Sequence, residues 1–258
     1  FSVFGSASGF DSLEECFEEL TPRVTAIETG LSSDPAMNWR IGELDRLAII
    51  SNSDAHSAPK LGREANVFNT ELGYKTITDA MRGKKKELEY TIEFYPEEGK
   101  YHLDGHRDCQ TRMEPRETKA KNFLCPKCGK KVTVGVLHRV EDLANHPQGR
   151  KPEGARPFKS IIPLSEIISE VEGVGTASKK VQAAYMGVLQ KLGNEFHILL
   201  DASEEHIKEA GGECLAEAIV RMREGKVHIE GGYDGEYGKV HVWDDKEKKG
   251  ASSQRKLL

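Results

Sequence analysis

The sequence has few cysteines and no long hydrophobic run, and each shortage excludes a class of protein. Its 258 residues include five cysteines and 37% hydrophobic residues. An odd number of cysteines, three of them clustered, argues against a disulfide framework and indicates a reducing compartment, so a cytoplasmic location is expected. The longest apolar runs, such as residues 47–50, are far too short to span a membrane, and no signal peptide is visible. We expect a globular protein with no membrane partner.

Charge is spread unevenly along the chain. The net charge is −5, yet residues 100–160 hold 14 basic and 7 acidic side chains, whereas residues 1–99 sum to −8 and residues 161–258 to −4. A basic segment inside an acidic protein is typical of a nucleic-acid footprint. A solvated, lysine-rich surface explains the same counts equally well.

Hydrophobic patterning predicts an α/β protein with a helical C-terminal part. Short apolar runs around a helical pattern indicate a parallel α/β domain at the start of the chain. Strands are predicted at residues 24–28, 47–51, 65–69, 88–95, 132–138, 196–200, 227–230 and 239–243. Helices are predicted at residues 74–82, 161–172, 177–192 and 214–223, with a further short helix after Ser203.

The tetrapeptide Ser-Asp-Ala-His at 53–56 directly follows the buried strand predicted at 47–51. Active sites of α/β proteins form at the carboxyl ends of such strands. In an extended D-x-H segment, Asp54 and His56 project to the same side, and both are ligands for divalent metals such as Zn²⁺ or Mn²⁺. Glu28 ends a neighbouring strand and is a weaker candidate. The alternative is a capping aspartate with a surface histidine.

A Cys/His cluster in the basic segment has the spacing of a structural zinc site. Cys125-Pro-Lys-Cys128-Gly places two thiolates on one tight turn, and His106-x-x-Cys109 supplies a second pair. Four N and S ligands make a closed tetrahedral site that orders a segment with few apolar residues. His102 is the main competitor for the fourth position. The nearby cations Arg107, Lys127, Lys130 and Lys131 favour the thiolate forms.

Two glycine-rich turns complete the set of motifs. Gly173-Val174-Gly175, between two predicted helices, resembles a helix-hairpin-helix turn, in which helix-end amides meet a DNA phosphate and Lys179 and Lys180 add charge. An ordinary turn with a glycine cap is the alternative. Residues 231–238 (GGYDGEYG) suggest a shaped loop that contacts an unpaired base, although a plain hairpin turn is favoured.

The order of these motifs resembles endonuclease Q, a DNA repair nuclease of the polymerase and histidinol phosphatase (PHP) superfamily. The resemblance implies a fold in three parts: the C-terminal part of a distorted β/α (PHP-type) barrel at 1–86, a zinc module at 87–145, and a mainly helical DNA-binding region at 146–258. The family's first barrel motif, H-x-H, is absent, and no histidine precedes His56. The chain also begins with Phe1, so an N-terminal part of the barrel is expected to be missing.

The resemblance also implies the activity. Endonucleases of this family cut the DNA strand 5′ to a deaminated base (uracil, hypoxanthine or xanthine) or an abasic site, with divalent metals that activate water. Asp54 and His56 fall on catalytic metal ligands (Zn, Mn or Mg), and His106, Cys109, Cys125 and Cys128 fall on the structural zinc site. The predicted DNA contacts are Gly173, Gly175, Lys179, Lys180, Lys130 and Lys131. The alternatives are a PHP-type phosphoesterase for a small phosphorylated metabolite and a non-catalytic zinc-containing DNA-binding module.

Overall fold

The computed structural model describes residues 2–5, 9–83 and 87–244. The chain divides into two compact units, Phe1–Lys159 with Glu230–Lys239, and Ser160–Ile229 with Val240–Leu258. The lysines at 84–86, which mark the end of the predicted barrel part, lie outside the described residues. None of the helices in the described residues is both long and apolar enough to cross a bilayer.

The first unit contains short strands and short helices. Its strands are β1 (Ala26–Glu28), β2 (Ala48–Ile50), β3 (Ala65–Phe68), β4 (Leu88–Glu93), β5 (Asp104–His106), β6 (Thr111–Met113) and β7 (Phe158–Ser160). Its α-helices are α1 (Leu13–Phe17), α2 (Pro35–Asn38), α3 (Tyr74–Met81), α4 (Pro115–Ala120) and α5 (Val136–Leu143). The predicted α/β class is confirmed.

Strand pairing is parallel in only part of this unit. β1 and β2 are parallel, with Glu28 opposite Ile50, as the alternation of strands predicted. β3 instead pairs antiparallel with β4, so the prediction of a fully parallel domain is wrong. The long segment between β3 and β4 folds back through α3, which allows the two strands to form an antiparallel pair with β7 beyond β4.

One apolar cluster anchors β1 and β2. Its buried members are Phe4, Leu13, Ile27, Ile41, Leu44 and Leu47. Leu13 begins α1, where the Ser12 hydroxyl accepts a hydrogen bond from the Glu15 amide at 3.1 Å and caps the helix. The cluster therefore fixes the two parallel strands, and the carboxyl end of β2 leads into the Ser-Asp-Ala-His loop.

The strand predicted at 132–138 is wrong, because α5 begins at Val136. Here β propensity is overridden by burial: His138 and Val140 lie on the inner face of a helix and are almost fully buried. The Asp104 carboxylate accepts a hydrogen bond from the Gly135 amide at 2.7 Å, and its other oxygen lies 2.5 Å from Nδ1 of the His138 ring. These two contacts fix the start of the helix.

The second unit is helical. It consists of α6 (Leu164–Glu172), α7 (Lys179–Leu192), α8 (Glu204–Gly211) and α9 (Glu213–Arg223), and the predicted helices are confirmed. The strand predicted at 196–200 is wrong: His197–Asp201 form a π-helical turn. Ile198 and Leu199 are fully buried there. A short apolar run of this kind fits a buried helical turn as well as a strand, and no strand pairs with it among the described residues.

Two short strands, β8 (His228–Glu230) and β9 (Lys239–His241), pair with each other as predicted. The glycine-rich segment 231–238 joins them.

Candidate metal centres

The Ser-Asp-Ala-His loop follows β2, as the sequence predicted. Asp54 is exposed and its backbone has a φ of 45°, in the left-handed region. Aspartate and asparagine tolerate this conformation better than other residues with a Cβ atom. The His56 ring lies 2.9 Å, at Nδ1, from the Asp54 carbonyl oxygen. Both side chains are solvent-accessible, so they are available as two ligands for a metal.

Side chains from β3 and the residues before it hold this loop. The Arg63 Nε atom donates to the Ser53 carbonyl at 2.8 Å. Asn66 bonds both backbone groups of Ser51, accepting from its amide at 2.9 Å and donating to its carbonyl at 2.6 Å. Hydrogen bonds therefore hold the loop at Ser51, where it leaves β2, and at Ser53, next to Asp54. They preorganise the backbone of Asp54 and leave its carboxylate available.

A group of buried carboxylates lies at the same edge of the strands. The β3–β4 register, Ala65 opposite Ile92, places Glu64 beside Glu93. Both side chains are at most 3% exposed. Glu93 accepts hydrogen bonds from Thr91 and, at 3.0 Å, from Thr29, which follows β1. Neither Glu64 oxygen has a hydrogen-bond donor among the described residues.

Burial is the main reason that these two acids hold their protons. It raises the pKa of Glu64 to about 8, and the negative charges of Glu93 and Glu28 raise it further, against the opposing effects of the polar Phe94 backbone and the positive charge of Arg63. Burial likewise raises the pKa of Glu93 to about 7, although the hydroxyls of Thr91 and Thr29 oppose it. Near neutral pH the pair carries less than its full charge.

Replacing Glu64 with glutamine is expected to flatten the dependence of stability on pH. The pKa of Glu64 is raised from its ordinary 4.5 to about 8 in the folded protein. The protonated side chain therefore makes its full contribution to stability below pH 4.5, and this contribution is lost as the pH rises through about 8. Between about pH 5 and pH 9 the free energy of unfolding of the wild type should fall by ~2–4 kcal/mol more than that of Glu64→Gln. Denaturant titrations measure this difference.

Glu89→Gln is the matched control, because Glu89 is exposed on β4, the strand that carries Glu93. It should follow the wild type at every pH. Parallel curves for the wild type and Glu64→Gln would contradict an elevated pKa at Glu64.

The second candidate centre is built on a hairpin and a tight turn. β5 and β6 pair antiparallel, with His106 opposite Thr111, and a turn at Arg107–Cys109 joins them. In the Cys-Pro-Lys-Cys turn, the Gly129 amide donates to the Cys125 carbonyl at 2.8 Å. Gly129 has a φ of +71°, the left-handed conformation that favours glycine. The hairpin and the turn thus place two ligand pairs face to face.

The four predicted ligands meet as the spacing indicated. One ligand atom from each of His106, Cys109, Cys125 and Cys128 lies within 4.8 Å of all the others. The Cys128 sulfur is 3.7 Å from His106 Nδ1. Tetrahedral zinc with ordinary Zn–S and Zn–N bonds requires ligand separations of about 3.6 Å, so these residues fit such an ion. Among the described residues this is the one group of three or more candidate metal ligands.

The surroundings of this cluster also suit a structural metal. Its apolar core comprises just Met113, Cys125 and Val132, with Cys109 packed against them. Burial opposes ionisation of Cys125, but the amides of Lys127 and Cys128 outweigh it and lower the pKa of this thiol to about 6. Lys127 donates to the Cys109 carbonyl at 2.7 Å. His102, the competing ligand, is not a member of the group; its ring is buried, and burial lowers its pKa to about 4.

The residues predicted to contact DNA are exposed. Lys130 and Lys131 follow the Cys-Pro-Lys-Cys turn, and Lys179 and Lys180 begin α7. Gly173 ends α6 with a φ of 66°, so the glycine cap is present whichever function the turn has. Ser178 caps α7 by accepting from the Val181 amide at 3.2 Å, and Lys180 pairs with Glu172. Their contact with DNA stays a prediction.

Sequence reasoning missed Glu64 and Glu93. The signal available was weak: a glutamate directly before one predicted strand and another within an apolar run. Neither position indicates a shared site until β3 and β4 are paired. Glu28, which had been considered as a ligand, lies close enough to Glu64 to raise its pKa.

Comparisons with known sequences give relatives of unknown activity. The family described as the MJ0043 C-terminal domain matches residues 163–226. The uncharacterized protein MJ0043 of Methanocaldococcus jannaschii is 36% identical over 90% of this chain and 30% of its own length. The uncharacterized protein YqxK of Bacillus subtilis is 31% identical over 89% of this chain and 55% of its own length. The chain therefore spans about a third to a half of these relatives.

Comparisons with solved structures are more informative. The lesion-specific endonuclease PfuEndoQ of Pyrococcus furiosus matches with a TM-score of 0.84 and 30% identity, over 94% of this chain and 62% of that one. An endonuclease Q complex with a 27-mer duplex substrate carrying an abasic lesion at the active site matches with a TM-score of 0.78 and 31% identity, over 92% of this chain and 60% of that one. In fold and in sequence this chain is thus similar to endonuclease Q over more than nine tenths of its length, which confirms the resemblance that its motifs indicated.

Proposed function

We propose that this chain carries part of the catalytic site and much of the DNA-binding surface of a DNA repair endonuclease. The enzyme hydrolyses the phosphodiester 5′ to a deaminated base or an abasic site. The observation that supports this most directly is the likeness to endonuclease Q structures, one of them with a lesion-containing duplex, at about 30% identity and over nearly the whole chain. The first 86 residues are proposed to belong to a PHP-type barrel.

Asp54 and His56 are proposed to hold a catalytic divalent metal. Their loop lies at the carboxyl end of β2 and is fixed by Arg63 and Asn66, so the two side chains need little reordering on binding. When bound, a divalent metal supplies an activated water and positive charge for phosphodiester hydrolysis. The pair offers two ligands, and a catalytic site generally takes at least three from the protein. Further ligands are therefore proposed to come from residues outside this chain.

The zinc module and the α6–α7 turn are proposed to hold the DNA backbone. Residues 100–160 have an excess of seven positive charges, and Lys130, Lys131, Lys179 and Lys180 are exposed. Cations on a folded scaffold contact phosphates without reading sequence, which suits an enzyme that must find a lesion in any sequence. A phosphoesterase for a small metabolite has no use for this surface.

A nicking assay on a duplex with one deoxyuridine, deoxyinosine or abasic site tests the proposal. It is run with Mn²⁺ or Mg²⁺, using this chain and a form extended at its N-terminus, as the resemblance predicts for a complete barrel. We expect the extended form to cut 5′ to the lesion and to leave the undamaged duplex intact. Binding of the lesion duplex should weaken steeply as salt rises.

Two results would contradict the proposal. Hydrolysis of a small phosphate ester without any DNA nick indicates a metabolite phosphoesterase. Lesion-independent binding without cleavage by either form indicates a non-catalytic DNA-binding module.

A further inference from the structure

A polar cleft of about 730 Å³ lies in the first unit, beside the zinc module. Its walls include the cations Arg107, Arg112 and Lys239 and the aromatic residues Tyr233 and Tyr237. Arg107 belongs to the turn that carries Cys109, and Arg112 lies on β6. None of the predicted metal ligands and none of the predicted glycine and lysine DNA contacts lines this cleft, whereas loop 231–238, considered above for contact with an unpaired base, forms part of its lining.

The glycine-rich loop 231–238 forms one wall and is held firmly. Backbone amides of Gly232, Gly235 and Gly238 donate to the carbonyls of Glu97, Lys100 and Glu98 at 2.8, 2.9 and 3.0 Å, respectively. A Cβ atom on Gly238 would lie 2.0 Å from the Glu97 carbonyl oxygen, and one on Gly232 would lie 2.4 Å from that of Gly99. These glycines allow the loop to lie directly against the segment 97–100.

Asp234 ties the loop to the zinc module. Its carboxylate accepts a hydrogen bond from the Arg107 amide at 2.7 Å and another from the Thr133 hydroxyl at 2.5 Å. The loop is therefore not a free hairpin tip. The position of any side chain that the loop presents is therefore fixed by the segment 97–100 and by Arg107 and Thr133.

Tyr237 is the aromatic side chain that this loop presents to solvent. Its residue is 73% exposed, although tyrosine is usually at least half buried in folded proteins. The Lys100 ammonium lies 5.7 Å from its ring centroid and 5.8 Å from that of Tyr101, which is 47% exposed. Deeper in the cleft, the Arg112 guanidinium lies 5.3 Å from the ring centroid of Tyr233. Lys100 thus lies beside the exposed ring of Tyr237, and Arg112 lies beside the buried ring of Tyr233.

The acidic residues of the cleft do not block an anion. Arg112 pairs with Glu230 at 3.1 Å, and Arg107 lies 3.8 Å from Glu236. All four side chains are 42–58% exposed, and ion pairs this exposed contribute little. A phosphate can displace these carboxylates, since arginine binds phosphate through two parallel hydrogen bonds.

We propose that this cleft binds an unpaired nucleotide of a DNA strand, with its base stacked on Tyr237 and its phosphate on Arg107 and Arg112. The assignment rests on the proposed function, since that function makes DNA the partner. Stacking on an aromatic ring between cations accepts every base, because every base has a π face. The cleft therefore holds a strand that has left the duplex and does not select the lesion.

We call this cleft, with its Tyr237 ring, the stacking platform. Fluorescence anisotropy with a labelled single-stranded oligonucleotide tests the platform in the 258-residue chain. We expect Tyr237→Leu to weaken binding about tenfold and Tyr237→Phe to stay within about twofold of the wild type, because phenylalanine keeps the ring. An oligonucleotide containing 2-aminopurine should lose fluorescence on binding to the wild type and to Tyr237→Phe, and should keep it with Tyr237→Leu. Zinc content and thermal unfolding verify that each variant is folded.

Salt dependence separates stacking from charge. Arg112→Gln should lower the slope of log affinity against log salt by about one, whereas Tyr237→Leu should leave the slope unchanged. The matched control is Tyr74→Leu, because Tyr74 is 89% exposed at the start of α3, away from the cleft. It should bind as the wild type does.

The single-strand binding assay tests the platform, and the nicking assay tests the proposed function, so the two can fail separately. Lesion nicking by the extended form together with unchanged single-strand binding by Tyr237→Leu overturns the platform and leaves the proposed function standing. Single-strand binding that depends on Tyr237, without lesion nicking, supports the platform and contradicts the endonuclease. Absence of single-strand binding by the wild type overturns the platform.

Discussion

Replacing Cys125 with serine is expected to remove the metal from the first unit and to unfold the segment that carries β5 and β6. Cys125 is 1% exposed and belongs both to the four-ligand group and to the small apolar core beside it. A serine hydroxyl is a poor zinc ligand at neutral pH, and three residual ligands hold the ion far more weakly. Structural zinc supplies ~10–16 kcal/mol of folding free energy in small modules, so loss of one ligand removes a large part of it.

Metal analysis and amide exchange measure this effect. The wild type should contain about one zinc per chain and protect the β5–β6 amides, whereas Cys125→Ser should contain almost none and exchange them rapidly. A chelator at high concentration should reproduce the variant. Cys16→Ser is the matched control, because Cys16 is a half-buried thiol in α1, outside the group.

The two histidines discriminate between the candidate sets of ligands. His106→Ala should lose the metal, and His102→Ala should keep it, because His106 and not His102 lies in the group. Retention of zinc by Cys125→Ser or by His106→Ala would contradict a four-ligand site made of these residues.

Replacing Asp54 with asparagine is expected to reduce lesion nicking by the extended form at least ~10³-fold while DNA binding changes less than about twofold. Asparagine adopts the left-handed conformation as readily as aspartate, so the φ of 45° is retained. The substitution therefore removes the negative charge that holds a divalent metal and leaves the loop in place. Single-turnover cleavage and anisotropy on the same lesion duplex give the two quantities.

Metal binding provides a readout that does not depend on activity. Mn²⁺ binding, followed by electron paramagnetic resonance, should weaken in Asp54→Asn. Asp79→Asn is the matched control, because Asp79 lies on α3, outside the Ser-Asp-Ala-His loop, and its ion pairs with Lys75 and Arg82 join residues of one helical segment. Equal cleavage by Asp54→Asn and the wild type would exclude Asp54 as a catalytic metal ligand.

Local patterns predicted the elements whose signal lies within a few consecutive residues. The helix at 74–82 and the helix start at Ser203 are confirmed by α3 and α8, because amphipathic spacing and caps act within one or two turns. The strands at 196–200 and 132–138 were predicted wrongly for the complementary reason: a short apolar run fits any buried conformation, and its partners decide which one forms.

The sequence by itself determined the four candidate metal ligands, since Cys-x-x-Cys and His-x-x-Cys pairs can bind one ion in few arrangements, and the four residues meet as expected. It also placed Asp54 and His56 at the end of β2. The tertiary structure alone decided what surrounds these motifs. The antiparallel pairing of β3 with β4 buried Glu64 against Glu93, and the contacts of loop 231–238 with segment 97–100 left Tyr237 exposed among cations. Such features join residues that are tens to more than a hundred positions apart, and no local periodicity encodes contacts at that separation.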